Sequence, residues 1–321
     1  MLSNKIYVGE AKMNILKRDE LIKMMDGEFV KGFVLIKSYS KQPTKNGGSF
    51  LGGALEACGS MQFKVWSNGD CFNDMDKYDY QNSICFVSGK VNVFGGAYSL
   101  ILETCRAVEE GTEGLYKKDF YEEKYSAEAY WLNLHKTVCS NISEDGQKVF
   151  DAIFTDELKE RFCEEFAAVA HHDNCRSGLL AHTAKVAKIC TVIKVYPEIM
   201  SRVGKDLLFL SAAIHDIGKV REYDNGVISE EGKRISHNIS GILMLEEHKE
   251  EIIKLKDEQF YTDLVAVVAN HHGEYGERPR TVIAYVIHLI DCLESNLASL
   301  NQQLEVCEEG NQIVVEGMKL V

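Results

Sequence analysis

The apolar positions of this chain change their spacing once. From about Phe29 to Ala107 they fall in short runs, Phe29–Lys37, Met61–Trp66, Ile84–Val91 and Tyr98–Ala107, separated by Gly, Asn and Asp. Runs of that length with turn residues between them predict strands, and so a small all-β unit. After the polar stretch Glu109-Glu110-Gly111-Thr112-Glu113-Gly114 the period lengthens from two to about 3.6 and holds to about Leu300. Helices are expected over 127–141, 146–171, 177–196, 203–217, 238–254, 258–270 and 280–301, and a hairpin in the tail Glu305–Val321, with its turn at Gly310-Asn311. The change of period falls near 110–125, so the chain reads as multidomain, an all-β domain over 1–115 followed by an all-α domain over 116–321.

Length and charge refine this picture. At 321 residues, 45% hydrophobic and 26% charged, the chain can bury two cores, which excludes a disordered or collagen-like polymer. Residues 1–110 hold 13 basic and 13 acidic side chains and the rest hold 23 and 36, so the net charge of −13 sits in the helical part. Such a domain does not grip nucleic acid through its own field, although bound divalent cations offset part of it. Ten cysteines with no Cys-x-x-Cys pair point to a reducing, cytoplasmic compartment. Met1–Tyr7 lacks a signal-peptide core, and the apolar stretches around Val265–Ala269 and Val282–Ile290 are interrupted short of about 18 residues. No membrane role is expected.

The candidate chemistry lies in the helical part. Of ten histidines, six fall in three short segments: Ala170–Thr183 with His171, His172 and His182; Ala213–Lys219 with His215-Asp216; and Asn270–Glu274 with His271-His272. Ser236-His237-Asn238 and Ile290-Asp291 belong with them. Taken singly, each has a bland explanation. His182 shares a face with Leu179, Val186 and Ile189, where a lone histidine is usually a hydrogen-bonded core residue. Asp291 sits on an apolar helix, where a carboxylate is costly unless paired or bound to a cation. Taken together, imidazoles and carboxylates from several helices are what a site for Mn, Fe, Co or a similar divalent metal requires. His215 and Asp216 are expected at a helix end, where Gly218 breaks the helix and turns both side chains to one cavity.

The order His182, His215-Asp216, Asp291 resembles the signature of the HD-domain metal-dependent phosphohydrolases. Within that superfamily, His171-His172 followed by Ser177-Gly178-Leu179, the His215-Asp216-Ile217-Gly218-Lys219 core, Ser236-His237, and His271-His272-Gly273-Glu274-Tyr275-Gly276 resemble the YhaM-type 3′→5′ exoribonucleases, which couple an OB-fold to an HD domain. The resemblance implies an OB-like barrel followed by an all-α HD domain. It implies that His182, His215, Asp216 and Asp291 hold a first metal, and that His237 and His271, with His272, complete a second. It makes Asp216, Lys219 and His172 the catalytic set: Lys219 neutralises a phosphate oxygen, while His172 moves a proton or touches phosphate. The cofactor implied is one or two divalent ions, Mn2+ foremost, with Fe2+, Co2+ or Mg2+ as alternatives. After Tyr275-Gly276 the chain continues Glu277-Arg278-Pro279-Arg280 where the family has Ser-Pro, and Arg278 and Arg280 read as phosphate contacts or as solvated charges.

For the first domain the resemblance places single-stranded RNA or DNA on the barrel. The stretch Ser38–Gly48 is expected as the loop after the first strand, offering Lys41 and Lys45 to a phosphate backbone beside Lys64. Alternation puts Phe63 in the core and leaves Trp66 outside as the stacking candidate. The activity expected is 3′→5′ exonucleolytic hydrolysis of single-stranded RNA. Hydrolysis of free or cyclic nucleotides, or a nucleic-acid-binding protein with a non-catalytic HD scaffold, are the alternatives.

Overall fold

The computed structural model describes residues 14–44, 47–167, 175–224, 226–273, 276–306, 313–315 and 318–320. The chain divides into two compact units, Met1–Glu122 and Glu123–Val321.

The first unit begins with a single helical turn, α1 (Arg18–Leu21), and continues through β1 (Phe29–Pro43), β2 (Ser49–Glu56), β3 (Ser60–Trp66), α2 (Asp70–Lys77), β4 (Ser83–Phe94) and β5 (Ala97–Val108). The strands close into a barrel in the order β1-β2-β3-β5-β4, with β4 returning to β1. All pairings are antiparallel except β3 with β5. This is the OB-like barrel expected from the sequence. Its pleat does what alternation required: Met61, Phe63 and Val65 are buried while Lys64 and Trp66 face outward.

Two elements escaped the sequence reading and one was misplaced. Strand β2 has a glycine pair at Gly52-Gly53 that hides its pattern. A Cβ on Gly52 would stand 2.8 Å from the Phe50 ring, so the missing side chain makes room for that ring. Helix α2 is only eight residues long and buries Cys71, Phe72 and Met75. The stretch Ser38–Pro43, expected as a loop, is strand: a bulge between Ile36 and Ser38 shifts the register and lets β1 run on beside β2. Beyond β5, two 3-10 turns (Thr112–Gly114 and Lys117–Phe120) fold back on the barrel, where Phe120 is fully buried and its carbonyl accepts from Cys58 N at 2.7 Å.

The second unit is helical: α3 (Ala127–Cys139), α4 (Glu144–Ile153), α5 (Asp156–Glu164), α6 (Gly178–Ile193), α7 (Pro197–Val203), α8 (Lys205–Ile214), α9 (Lys219–Glu222), α10 (His237–Glu246), α11 (Lys249–Leu255), α12 (Glu258–Asn270) and α13 (Val282–Val306). Small antiparallel pairs join β6 (Tyr223–Asp224) to β7 (Val227–Ile228), and β8 (Ile313–Val315) to β9 (Met318–Leu320); the latter is a hairpin in the tail, as expected, but its reversal falls between Val315 and Met318 and not at Gly310-Asn311. Helices expected as single pieces are split. The 146–171 segment breaks at Phe154 because Thr155 caps α5, its hydroxyl accepting from Leu158 N. The 238–254 segment breaks at Glu247-His248, and Pro197 starts the unforeseen α7 at the position where a missing N–H costs nothing. Residues 215–218, expected to end a helix, form the turn between α8 and α9.

The core of this unit gathers Leu134, Val138, Phe150, Phe162, Leu180, Phe209, Leu264 and Ile287. Contrary to the sequence expectation, Val282–Leu304 is long and apolar enough to cross a membrane by length and composition. Its inner face, with Ile283, Ala284, Ile287, Ile290 and Glu294, is buried in the core.

Candidate metal centre

Three helix ends and the inner faces of two further helices converge on Asp216. Helix α8 is apolar all round and ends at Ile214, so the turn that follows, His215-Asp216, is delivered into the interior with both side chains essentially inaccessible. Gly218 is needed in that turn for a reason other than breaking a helix: its φ is −69°, available to any residue, but a Cβ there would lie 1.9 Å from the His237 carbonyl oxygen. Its absence lets the start of α10 press against the turn and brings His237 to the site. His182 comes from the buried face of α6, His271 and His272 from the end of α12, and Asp291 from the inner face of α13.

The carboxylate of Asp216 has one oxygen in each of two groups of ligand atoms. Around Oδ2 stand His215 Nε2 at 3.4 Å, His182 Nε2 at 3.6 Å and Lys219 Nζ at 2.7 Å. Around Oδ1 stand His271 Nε2 at 3.4 Å and His237 Nε2 at 3.6 Å. The two imidazole nitrogens of His182 and His215 are 3.2 Å apart, and Asp291 Oδ1 is 3.2 Å from His182 Nε2. On the other side His237 Nε2 faces His272 Nε2 at 2.6 Å. Donors about 2.1 Å from one ion at right angles to each other lie about 3 Å apart, so these separations fit a shared cation. The groupings His182–His215–Asp216 and Asp216–His237–His271–His272 each keep one ligand atom per residue within 4.8 Å of the others.

Four of the imidazoles are oriented the same way. Nδ1 of His182 meets Glu294 Oε2 at 2.5 Å, Nδ1 of His215 the Ala212 carbonyl at 2.9 Å, Nδ1 of His237 Glu222 Oε2 at 2.8 Å, and Nδ1 of His271 the Val267 carbonyl at 3.2 Å. Each ring thus donates from Nδ1 to an acceptor and presents the lone pair of Nε2 inward, the tautomer a metal ligand needs. Two polar atoms at the centre, Asp216 Oδ1 and His271 Nε2, are buried with no hydrogen-bond partner. Buried polar atoms without partners are costly unless a ligand completes them. The donor set of imidazole and carboxylate, buried at Asp216, His182, His215 and His271 and partly open at His237, His272 and Asp291, fits a divalent transition metal.

The electrostatics agree. Burial alone would push His182 down, but Asp291 and Glu294 outweigh it and raise its pKa to about 10: without a cation this ring takes a second proton at Nε2, and the positive charge favoured there is what a bound metal would supply in the proton's place. Burial opposes ionisation of Asp216 too, yet Lys219 and His215 hold it well below the ordinary carboxylate range. Lys219 keeps its proton despite burial because Asp216 lies beside it. Burial and the neighbouring His271 drive His272 down to about 3, so it stands neutral as a ligand must.

The structure brings together His182, His215, Asp216, His237, His271, His272, Asp291 and Lys219, while His172 and Lys45 lie outside the described residues. Sequence reasoning passed over Glu294, Glu222 and Lys185. Glu294 is bracketed by His182 and by Lys185 Nζ at 3.2 Å, and Glu222 takes both Nδ1 and the backbone N–H of His237. The available signal was spacing: Glu294 follows Asp291 by three residues, and Glu222 follows Lys219 by three. Arg280 pairs with Glu277 at 3.2 Å in the exposed stretch before α13.

On the barrel, Trp66 and Phe50 stack at 5.4 Å with a tilt of 47°, and Lys64 Nζ lies 5.8 Å from the Phe50 ring. They line a recess of about 690 Å³ with Pro43, Thr44, Ser49 and Asn68. Lys41 is elsewhere: it pairs with Asp76 at 2.6 Å and lies over the Phe72 ring.

Residues 179–296 match the HD domain family. Along its length the chain is similar to proteins named 3′-5′ exoribonuclease YhaM: 28% identical to that of Oceanobacillus iheyensis, 27% to that of Shouchella clausii and 26% to that of a Geobacillus species. Each alignment covers 88% of this chain and 87–89% of the relative. The helical unit thus carries, over residues 179–296, the match to the HD domain, and it follows a five-stranded barrel along the chain.

Proposed function

We propose that the protein is a divalent-metal-dependent 3′→5′ exoribonuclease that shortens single-stranded RNA. The observation that carries the metal-dependent hydrolysis is the inward convergence of four Nδ1-anchored imidazoles on the two oxygens of Asp216. The relatives' names supply the polarity and the polymer.

A divalent cation held by His182, His215, Asp216 and Asp291, with His237, His271 and His272 available to a second, supplies Lewis acidity and positive charge for phosphodiester hydrolysis, Mn2+ being our first choice. The chain's own groups do the rest. Lys219, a cation beside Asp216 with no lone pair while protonated, is placed to neutralise a non-bridging phosphate oxygen. Glu294 and Glu222 hold the imidazoles of His182 and His237 in the productive tautomer. On the barrel, the Phe50–Trp66 pair with Lys64 offers a base a stacking surface and its phosphate a cation. Ten scattered cysteines with no Cys-x-x-Cys pair support a cytoplasmic setting.

The test is a substrate panel for the Mn2+-loaded protein: RNA with a free 3′ hydroxyl, the same RNA blocked at its 3′ end, single-stranded DNA, and free and cyclic nucleotides. Stepwise loss from the free 3′ end of RNA supports the proposal. Turnover confined to nucleotides, or no turnover at all, overturns it.

A further inference from the structure

The helix that carries Asp291 and Glu294 to the metal centre has a second face that the core does not use. On α13, Val282, Tyr285, Leu289, Leu293, Leu297 and Leu304 are each between 45% and 55% exposed. At about 100° per residue they form one stripe, on the side of the helix away from Asp291. From Val282 to Leu304 the sequence has two charged residues, Asp291 and Glu294, and both turn toward His182. The outer face is thus free of charged side chains over 23 residues, about 33 Å of helix.

We propose that this stripe joins two copies of the chain, with the two α13 helices antiparallel across a two-fold axis at Leu293. A closed pair of identical chains needs a patch complementary to itself. The stripe has that property about Leu293: each Leu289 meets the other copy's position 297, and each Val282 the other copy's position 304, while Tyr285 falls opposite the polar position 301. Six half-exposed apolar side chains amount to on the order of 500 Å² on each copy, at the upper end of what a monomer leaves open and about 1,000 Å² over the pair, the lower bound for a specific interface.

Charge selects the partner. The helical part carries the full −13, so copies repel each other over most of their surface, whereas at the stripe no ionised group has to leave water. A bilayer is a poorer occupant: the other face of α13 is fixed in the core with two carboxylates, and the acidic unit is repelled by anionic headgroups.

Sedimentation of the full chain across a concentration series tests the proposal. Wild type should run as a dimer of the 36.1 kDa chain. Leu293→Glu, which sets two carboxylates together on the axis, should raise the dimer dissociation constant at least about a hundredfold with the helical circular dichroism and metal content kept. Leu289→Lys and Leu297→Glu should each weaken the dimer, and the double variant should restore it, because each lysine then meets a glutamate of the other copy. A monomeric wild type, or a dimer indifferent to Leu293→Glu, overturns the proposal. A double variant no more dimeric than the single ones overturns the antiparallel register.

Discussion

Glu294 Oε2 lies 2.5 Å from Nδ1 of His182, and this pairing fixes which nitrogen of His182 looks into the metal centre. Glu294 is itself buried and shared with Lys185, so the imidazole is held by a carboxylate that has nowhere else to turn. Removing such an outer partner typically costs 10–100-fold in metal affinity, on the order of 1–3 kcal/mol. Glu294→Gln should therefore weaken binding of the first cation by about that factor while retaining the fold, as read by calorimetric titration with Mn2+. Unchanged affinity would mean that His182 is oriented by packing alone.

Lys219→Met should lower turnover on RNA by about 10²–10³ with metal content unchanged, because its ammonium is charged and mostly buried beside Asp216 and, in the function proposed above, neutralises the reacting phosphate. The 2.7 Å pairing with Asp216 allows a clean distinction. A variant that binds metal more tightly and keeps its turnover would show that Lys219 only balances Asp216.

Gly218→Ala tests how the second group of ligands is delivered. The new methyl cannot fit against the His237 carbonyl, so α10 has to move, at a cost of about 1–3 kcal/mol. His237 moves with it, whereas His182, His215 and Asp291 hang on other elements. The expected result is loss of the weaker of two metal-binding steps with the tighter one kept. Loss of both together would mean that the two groups are not separable.

These consequences also mark what the sequence could reveal. His182, His215-Asp216, His271 and Asp291 were legible because buried imidazoles and carboxylates are rare, and several within a few short segments are improbable as core. Glu222 and Glu294 were not, since a glutamate on a helix usually faces water and only the packing of α9 against α10 and α13 against α6 turns these two inward. In the barrel, alternation placed Phe63 and Trp66 on the correct faces, but Gly52-Gly53 hid β2 and a bulge carried β1 past its expected end. Lys41, expected on a loop, is for that reason a strand residue, and it reaches Asp76 on α2.

On the barrel, Trp66→Ala and Phe50→Ala should each weaken binding of single-stranded RNA by about 1–3 kcal/mol, and Lys64→Ala should reduce the salt dependence by about one phosphate contact. Lys41→Ala should change little. Fluorescence anisotropy with a labelled oligonucleotide at two salt concentrations reads all four, and an effect of Lys41 equal to that of Lys64 would place the strand on the other side of the barrel.

The barrel's stability should fall as pH rises toward neutrality. Burial raises the Glu56 pKa from 4.5 to about 7 even with Lys37 beside it, so the folded chain keeps a proton that the unfolded chain has lost between those values. Stability therefore declines from about pH 4.5 to about 7 and is level above, a loss of about 3 kcal/mol from this group at about 1.4 kcal/mol per unit. Glu56→Gln should remove that slope, so the variant's melting temperature should gain on that of wild type between pH 5 and pH 8. Parallel curves would show that Glu56 is ionised in the fold throughout.

The most direct measurement follows a 5′-labelled single-stranded RNA with a free 3′ hydroxyl over time, with Mn2+-loaded wild type and with Asp216→Ala, alongside elemental analysis of both proteins. Asp216 is the residue that both groups of ligand atoms share. The account predicts a ladder shortening one nucleotide at a time from the 3′ end for wild type, and for the variant no ladder, less bound metal and unchanged helical circular dichroism. An active Asp216→Ala, or a wild type that binds no divalent metal and leaves the RNA intact, would contradict it.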